Sequence, residues 1–334
     1  MEELQFSFIV PVFNRPVEVE QLLESLSRVR SASSFEVVII EDGSSETCEQ
    51  VCSRFRESVN ISYFYKKNTG PGDSRNYGMQ NAQGNYFIIL DSDCLVPVHY
   101  LEVVKEQLRL HYVDCYGGPD AANDRFSDLQ KAINYSMTSI LTTGGIRGGS
   151  EALGKFQPRS FNMGLSKKAF EATGGFSTIH PGEDPDLSIR LWDLGFETAL
   201  FKQAYVFHER RISWRLFFKQ VKKFGTVRVI LNKWHPHTSK LTYWFPTVFL
   251  FYFLIALLFT LTGQLFLIGT VLFYLALVGF DSTLKNGVKI GMMSILAVVI
   301  QFSGYGLGFI NGYLQINFLK REERIAFPSL FFTK

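Results

Sequence analysis

Charged side chains are few in this 334-residue sequence, at 19%, and two stretches lack them in ways that carry meaning. Between residues 210 and 240 there is no acidic residue, against nine Lys and Arg. Residues 241–280 carry no formal charge at all, and residues 290–319 lack it again. Cysteine is limited to Cys48, Cys52, Cys94 and Cys115. Four scattered cysteines exclude a disulfide-dense scaffold and fit reduced thiols. The i, i+4 pair Cys48 and Cys52 has no His or further Cys beside it, so packing explains it better than a metal. There is no basic leader: the sequence opens on Met1-Glu2-Glu3, and the apolar run behind it reads as a core strand rather than a cleavable signal. No G-x-G-x-x-G follows that strand, which argues against a dinucleotide-binding dehydrogenase.

What is present is 46% hydrophobic and 15% aromatic, so the chain is neither disordered nor collagen-like. The formal net charge of +3 is a sum of three unlike sectors. Residues 1–209 hold 19 basic and 28 acidic side chains, residues 210–240 nine and none, and residues 241–334 six and three. The net charges are therefore −9, +9 and +3.

The uncharged run 241–280 would make a helix of roughly 60 Å, two crossings of a hydrocarbon core of about 30 Å. Gly263-Gln264 stands near its middle, where a hairpin turns. Residues 290–319 are long enough for a third crossing. The basic sector interleaves Ile212, Trp214, Phe217, Val221, Phe224 and Trp234 with Arg215, Lys219, Lys222, Lys223 and Arg228. That pattern suits a helix in the headgroup layer, against anionic lipid. A solvated basic helix or a nucleic-acid-binding one has the same pattern; direct fusion to an apolar hairpin favours lipid. Basic flanks stay cytoplasmic, which orients the first sector to that side. A full third crossing would carry Lys320, Arg321 and Arg324 outside, against the same rule. Gly304, Gly306, Gly308 and Gly312 would let the last segment bend back or lie shallowly.

The first sector alternates strands (6–12, 35–41, 61–65, 86–90) with helical patterns (17–28, 45–57, 73–82), which predicts a mostly parallel α/β sheet. Ligands of such sheets bind at the carboxyl ends of the strands. The first strand ends in Pro11-Val12-Phe13-Asn14, the second in Glu41-Asp42-Gly43-Ser44, the fourth in Asp91-Ser92-Asp93. Asp42 suits a base or a ribose, and equally a helix cap. Two carboxylates at i, i+2 on an apolar strand end suit a divalent ion on a diphosphate. Gly182-Glu183-Asp184 opens a helix, where the macrodipole favours acids and where a general base could stand. His208 follows another apolar segment and is a candidate metal ligand. Residues 120–156, with Gly144, Gly145, Gly148 and Gly149, read as an acceptor-side insertion or an ordinary surface loop.

These motifs, with Gly70-Pro71-Gly72-Asp73-Ser74-Arg75-Asn76 between them, occur in the order seen in inverting glycosyltransferase family 2, which the first sector resembles over roughly residues 5–210. The resemblance implies a GT-A fold: a Rossmann-like, mostly parallel sheet, here followed by a helical membrane region. It divides the chain into a catalytic domain (1–209), a basic interfacial segment (210–240), a transmembrane region of about three helices (241–319) and a basic tail (320–334). It implies that Pro11, Phe13, Asn14, Asp42, Arg75 and Asp91 bind the donor nucleotide. Asp93, with Asp91 and with His208 as a third ligand, would hold Mg²⁺ or Mn²⁺ on the donor diphosphate. Asp184 would be the general base, oriented by Glu183. Two departures stand out. Cys94 occupies the position where many members carry another acid, and no Q-x-x-R-W follows the acidic pair, which favours single-sugar transfer over processive synthesis. The expected protein is thus a multi-pass enzyme of the inner (cytoplasmic) membrane with its catalytic domain in the cytoplasm. It would move one sugar from a nucleotide-diphosphate-sugar to a hydroxyl of a lipid or lipid-linked saccharide. The other readings are a polyprenyl-phosphate glycosyltransferase, which needs no base, and a catalytically silent nucleotide-sugar-binding scaffold.

Overall fold

In the computed structural model the described residues are 3–30, 34–121, 126–143, 155–208 and 213–332. Apolar runs too short for helices pair as strands: β1 (Phe6–Val12), β2 (Phe35–Asp42), β3 (Asn60–Lys66) and β4 (Tyr86–Leu90). Between them lie α1 (Pro16–Ser27), α2 (Glu49–Phe55) and α3 (Pro71–Asn81). The chain continues through β5 (Cys94–Leu95), α4 (Tyr100–Leu110), β6 (Cys115–Gly117), β7 (Asn162–Ser166), α7 (Lys167–Thr173), α8 (Glu183–Asp193), β8 (Thr198–Leu200) and β9 (Phe207–His208). Two further helices, α5 (Asp128–Thr138) and α6 (Ile140–Thr143), fall between β6 and β7.

Seven strands form one sheet in the order β3-β2-β1-β4-β7-β6-β8, and β5 pairs with β9. β1 is parallel to β2 and β4, and β2 to β3, while β7 runs antiparallel to both β4 and β6. The parallel strands are covered on both faces, which is why they read as unbroken apolar runs. Phe8, Val10, Val37, Ile39 and Ile88 pack with Leu22, Leu23 and Leu26 of α1 and Val104 of α4. Ile9, Val38, Ile40, Phe87 and Ile89 pack with Met79, Phe170, Leu187 and Leu191. Each such side chain contributes about 1.5–3 kcal/mol through burial. α1 and α3 begin with proline in their first turn, which fixes where each helix leaves the strand before it. The turns after β1, β2 and β4 and the first turns of α3 and α8 supply the residues of the site.

The chain divides into two compact units, one made of Met1–Asp124, Lys155–Arg210 and Phe331–Lys334, the other of Arg125–Gly154 and Arg211–Leu330. The second unit contains α5 and α6 with α9 (Trp214–Trp234), α10 (Phe245–Thr260), α11 (Phe266–Asn286) and α12 (Val288–Tyr313). Three of its helices are long and apolar enough to cross a membrane. The hairpin forms where the sequence places it, with Gly263 at φ +80° in the turn between α10 and α11. Residues 128–143 are not a surface loop. α5 carries a capping box between Ser127 and Gln130, and its Tyr135 hydroxyl donates to Asp281 Oδ2 of α11 at 2.6 Å. Lys289 pairs with Asp128 at 2.7 Å, closing the same end of the bundle. Gly144, Gly145, Gly148 and Gly149 lie outside the described residues.

The basic sector does form a helix, α9, but its apolar face is taken by protein rather than left for lipid. Phe217 and Val221 pack with Ala297 of α12. Glycines allow the two backbones to touch: a Cβ on Gly308 would lie 2.0 Å from the Lys222 carbonyl oxygen, and one on Gly225 2.1 Å from that of Tyr305. Small residues at such crossings are the usual device for close helix packing in membranes. The residues Arg215, Lys219, Lys222 and Lys223 of α9 stay exposed. The Gly308→Val variant should therefore force the α9–α12 pair apart. We expect a lower melting temperature in detergent, with Gly269→Val, whose Cβ meets nothing within 4 Å, leaving it unchanged.

Candidate active site

The site lies at the carboxyl ends of β1, β2 and β4, and it is organised by arginines more than by acids. Arg75, on the first turns of α3, is 4% exposed and reaches two carboxylates. Its Nη2 donates to Asp91 Oδ1 at 2.9 Å, and its Nη1 lies 3.4 Å from Glu183 Oε1. The guanidinium carbon sits 5.3 Å from the centre of the Phe176 ring. Burial works against its charge, but Asp91, Glu183 and Asp184 outweigh that and hold it protonated. One arginine thus joins the end of β4 to the start of α8.

Glu183 is the first residue of α8 and is buried. Its Oε1 also lies 2.8 Å from His180 Nδ1. Burial alone would raise its pKa; the His180 hydrogen bond and the charges of His180 and Arg75 overcome that and hold it at about 2. Its neighbour Asp184 goes the other way. Burial first, and the Glu183 charge second, push it up to about 6, against the pull of Arg75, Arg159 and a Ser160 hydrogen bond. Asp184 Oδ1 is buried and has no hydrogen-bond partner. An unpartnered buried carboxylate oxygen is costly unless a ligand supplies the missing donor. The two adjacent acids therefore have divided roles: Glu183 is a fixed anion, and Asp184 can exchange a proton near neutral pH. Activity that uses Asp184 as base should rise tenfold per pH unit below about 6 and level off above it, in a pH profile of kcat/KM.

Asp42 ends β2, with its two oxygens fully engaged. Oδ2 accepts from the Gly70 N–H at 2.9 Å, and Oδ1 accepts from the Thr69 N–H at 3.0 Å and from Lys66 Nζ at 2.7 Å. Asp42 thereby holds the turn that leads into α3. Asn14 is at φ +53° and its Oδ1 accepts from Ser45 N, Ser45 Oγ and Glu46 N at 2.9–3.1 Å. It pins the loop after β2, while Pro11 sits half-buried in β1 and Phe13 beyond it is 51% exposed. Asp93 Oδ2 is paired with Arg15 Nη1 at 2.6 Å. The β5–β9 register sets His208 opposite Cys94, one residue from Asp93; its side chain lies outside what is described.

The structure so joins Arg75, Asp91, Glu183 and Asp184 in one network and sets Asp42 and Asn14 as supports of adjoining loops. Arg15, Lys66 and His180 belong to the site and were not singled out from the sequence. Arg15 and His180 had a signal in their positions, next to Asn14 and three residues before Glu183. Among the described residues no three His, Cys, Asp or Glu side chains cluster as a ready metal cage. Asp91 and Asp93 nonetheless fit a hard divalent cation by donor type. Arg15, which pairs with Asp93, is 43% exposed, whereas Arg75 is buried.

Residues 7–174, about half of the chain, match the family model for Glycosyl transferase family 2. The chain belongs to that family. Among curated proteins, this family 2 glycosyltransferase is 29% identical over 200 residues to an uncharacterized glycosyltransferase of Haemophilus influenzae, covering 55% of this chain and 61% of that one. It is 36% identical over 103 residues to an uncharacterized glycosyltransferase of Rickettsia felis, covering 31% and 17%. A poly(ribitol-phosphate) β-N-acetylglucosaminyltransferase of Staphylococcus aureus is 29% identical over 114 residues, covering 33% and 20%. The matched stretches span less than two thirds of each relative. Among solved structures, a mannosyltransferase of Pyrobaculum calidifontis in complex with GDP-mannose and Mn²⁺ superposes with a TM-score of 0.62 at 13% identity. That likeness covers 94% of this chain and 88% of the other and shows a shared fold.

Proposed function

We propose that this glycosyltransferase is membrane-bound and inverting, and that it moves one sugar from a nucleotide-diphosphate-sugar to a hydroxyl of a lipid or lipid-linked saccharide. The observation that carries the reading is Asp184: its Oδ1 is sealed from water without a partner and its pKa is raised to about 6, beside a permanently charged Glu183. A neutral hydroxyl acceptor needs such a base; a phosphate acceptor, already ionised, does not. Asp184 accepts the hydroxyl proton as the oxygen attacks the anomeric carbon from the face opposite the leaving group. Arg75 and Glu183 fix the backbone and charge around that base, and Arg75 holds Asp91 toward the donor. Asp42, with Lys66, shapes the turn against which the nucleotide base is read, supported by Asn14 and the Pro11–Phe13 strand end. Mg²⁺ or Mn²⁺ held by Asp91 and Asp93 would stabilise the charge on the departing nucleoside diphosphate. The family likeness to a structure holding GDP-mannose and Mn²⁺ supports a donor and a metal of these classes. Incubating the purified chain with a panel of nucleotide-sugars and extracted membrane lipid tests the reading: release of nucleoside diphosphate should depend on both lipid and a divalent cation. Turnover of no donor in the panel would contradict it.

Three features of the second unit support an acceptor at a membrane surface. The α10–α11 hairpin bears large exposed apolar side chains, including Phe251, Leu254, Leu258, Phe266, Phe273 and Phe280. α12 is bound along α9, whose Lys219, Lys222 and Lys223 would enter hydrocarbon with it at a cost of about 2.5–3.5 kcal/mol each. Phe331 and Phe332 belong to the catalytic unit, so the chain returns to that unit after α12. Two crossings, by α10 and α11, with α9 and α12 along the cytoplasmic face of an inner membrane, satisfy all three facts. A cysteine at position 263 should react with a membrane-impermeant maleimide from outside, and one at position 322 only after permeabilisation. Labelling of position 322 from outside would overturn this topology.

A further inference from the structure

We propose that Phe332 is a positioning residue of the donor site, locking the Gly70 turn held by Asp42 to the loop that leads into α8. The inference rests on the donor-site reading above and assigns a part to a residue far from every sequence motif. Phe331 forms an antiparallel bridge with Ile179, and the Phe332 N–H donates to the Thr178 carbonyl at 3.2 Å. The Phe332 ring then packs closely against the backbone of Gly70. A Cβ at that glycine would stand 2.3 Å from the ring's Cγ and Cδ2, so only glycine admits it. On its other side the ring centre is 6.1 Å from that of His180.

Each neighbour is tied to an acid of the site. The Gly70 N–H donates to Asp42 Oδ2, and His180 Nδ1 meets Glu183 Oε1. One aromatic ring therefore spans from the turn held by Asp42 to the loop that leads into α8. These loops are otherwise joined by Arg75 and by the Asn76 side chain, whose amide donates to the Phe176 carbonyl. Without the ring, the two loops sample wider separations, and the fraction of molecules ready for the donor falls. Apparent affinity drops by that fraction, while the chemistry of a bound donor is unchanged. A population of one in ten gives a tenfold effect.

The test uses the full chain in detergent, with binding of UDP, GDP, CDP, ADP and dTDP measured by calorimetry in Mn²⁺, and steady-state transfer where a donor turns over. Phe332→Ala should raise the nucleotide Kd and the donor KM about tenfold and leave kcat within twofold. Phe332→Tyr should restore both. Phe332→Leu keeps apolar bulk for folding and should still lose most of the affinity, since a shorter branched aliphatic chain does not span from Gly70 to His180 as the ring does. Unchanged Kd and KM in the Ala and Leu variants would overturn the proposal, as would a lower KM, which would make the segment a plug. Failure of the wild-type chain to turn over any sugar would contradict the transfer reading alone, because the difference in nucleotide Kd would still decide the part played by Phe332. Failure of the wild-type chain to bind any of the nucleotides would overturn both.

Discussion

Asp184→Asn should reduce sugar transfer about a thousandfold while nucleotide binding stays within a few-fold of wild type. The substitution keeps the size and shape of the side chain and removes only its capacity to take a proton. Positioned general bases contribute about 10²–10⁴-fold, and a value near the middle of that range is expected with Asp184 raised to about 6, close to working pH. On the proposed reading nucleotide binding rests on other elements: the turn that Asp42 holds through the Gly70 N–H, and the Arg75–Asp91 pair. Calorimetry with a nucleoside diphosphate, alongside initial rates of transfer, separates the two. The pH profile adds an independent check, since the limb below pH 6 should vanish in the variant. A variant that keeps a tenth of wild-type activity would remove Asp184 from the base role, and would bring back the reading in which the acceptor is a phosphate.

Arg75→Met should be the most damaging change to stability. The side chain is buried, and its two partners, Asp91 and Glu183, come from β4 and α8. Removing one member of a buried ionic network leaves uncompensated charge, which costs about 3–5 kcal/mol. For a catalytic unit of this size that corresponds to a fall of roughly 10 °C in the melting temperature. The effect carries a pH signature. Glu183 is depressed to about 2 from an ordinary 4.5, so it contributes stability that is present above pH 4.5 and is lost as pH falls toward 2. Part of that depression comes from Arg75. The gap in melting temperature between wild type and variant should therefore be widest near neutrality and narrow below pH 4.5, read by calorimetry. A gap constant from pH 7 to pH 3 would assign Arg75 a packing role instead.

Much of the catalytic unit was legible in the sequence because its strands are short, wholly apolar and followed at once by unusual residues. Tyr86–Leu90 ends in two acids, and Phe35–Asp42 in an acid and a glycine that stands at φ +74°. Local chemistry of this sort survives in a one-dimensional reading. The hairpin was legible for the same reason, since 40 uncharged residues with a central glycine leave few alternatives. What was hidden is long-range. Nothing in residues 128–138 announces that Tyr135 bonds Asp281, so a bundle helix read as a loop. The apolar side of α9 matched an interfacial helix, and only contacts distant in sequence, Phe217 and Val221 with Ala297 and Gly225 with Tyr305, assign it to α12. Within the site, the sequence named the carboxylates but could not say that Asp42 and Asn14 spend their oxygens on neighbouring loops. Nor could it show that Arg15 faces Asp93 across 78 residues, or that Phe332 lies on Gly70.

The central claim is a single displacement assisted by Asp184, and the configuration of the new linkage tests it most directly. Proton NMR of the first product formed from an α-linked nucleotide-sugar should show a β anomeric signal, with no α signal above the level of chemical exchange. An α-linked product would contradict the account, because retention requires either two displacements or attack from the face of the leaving group.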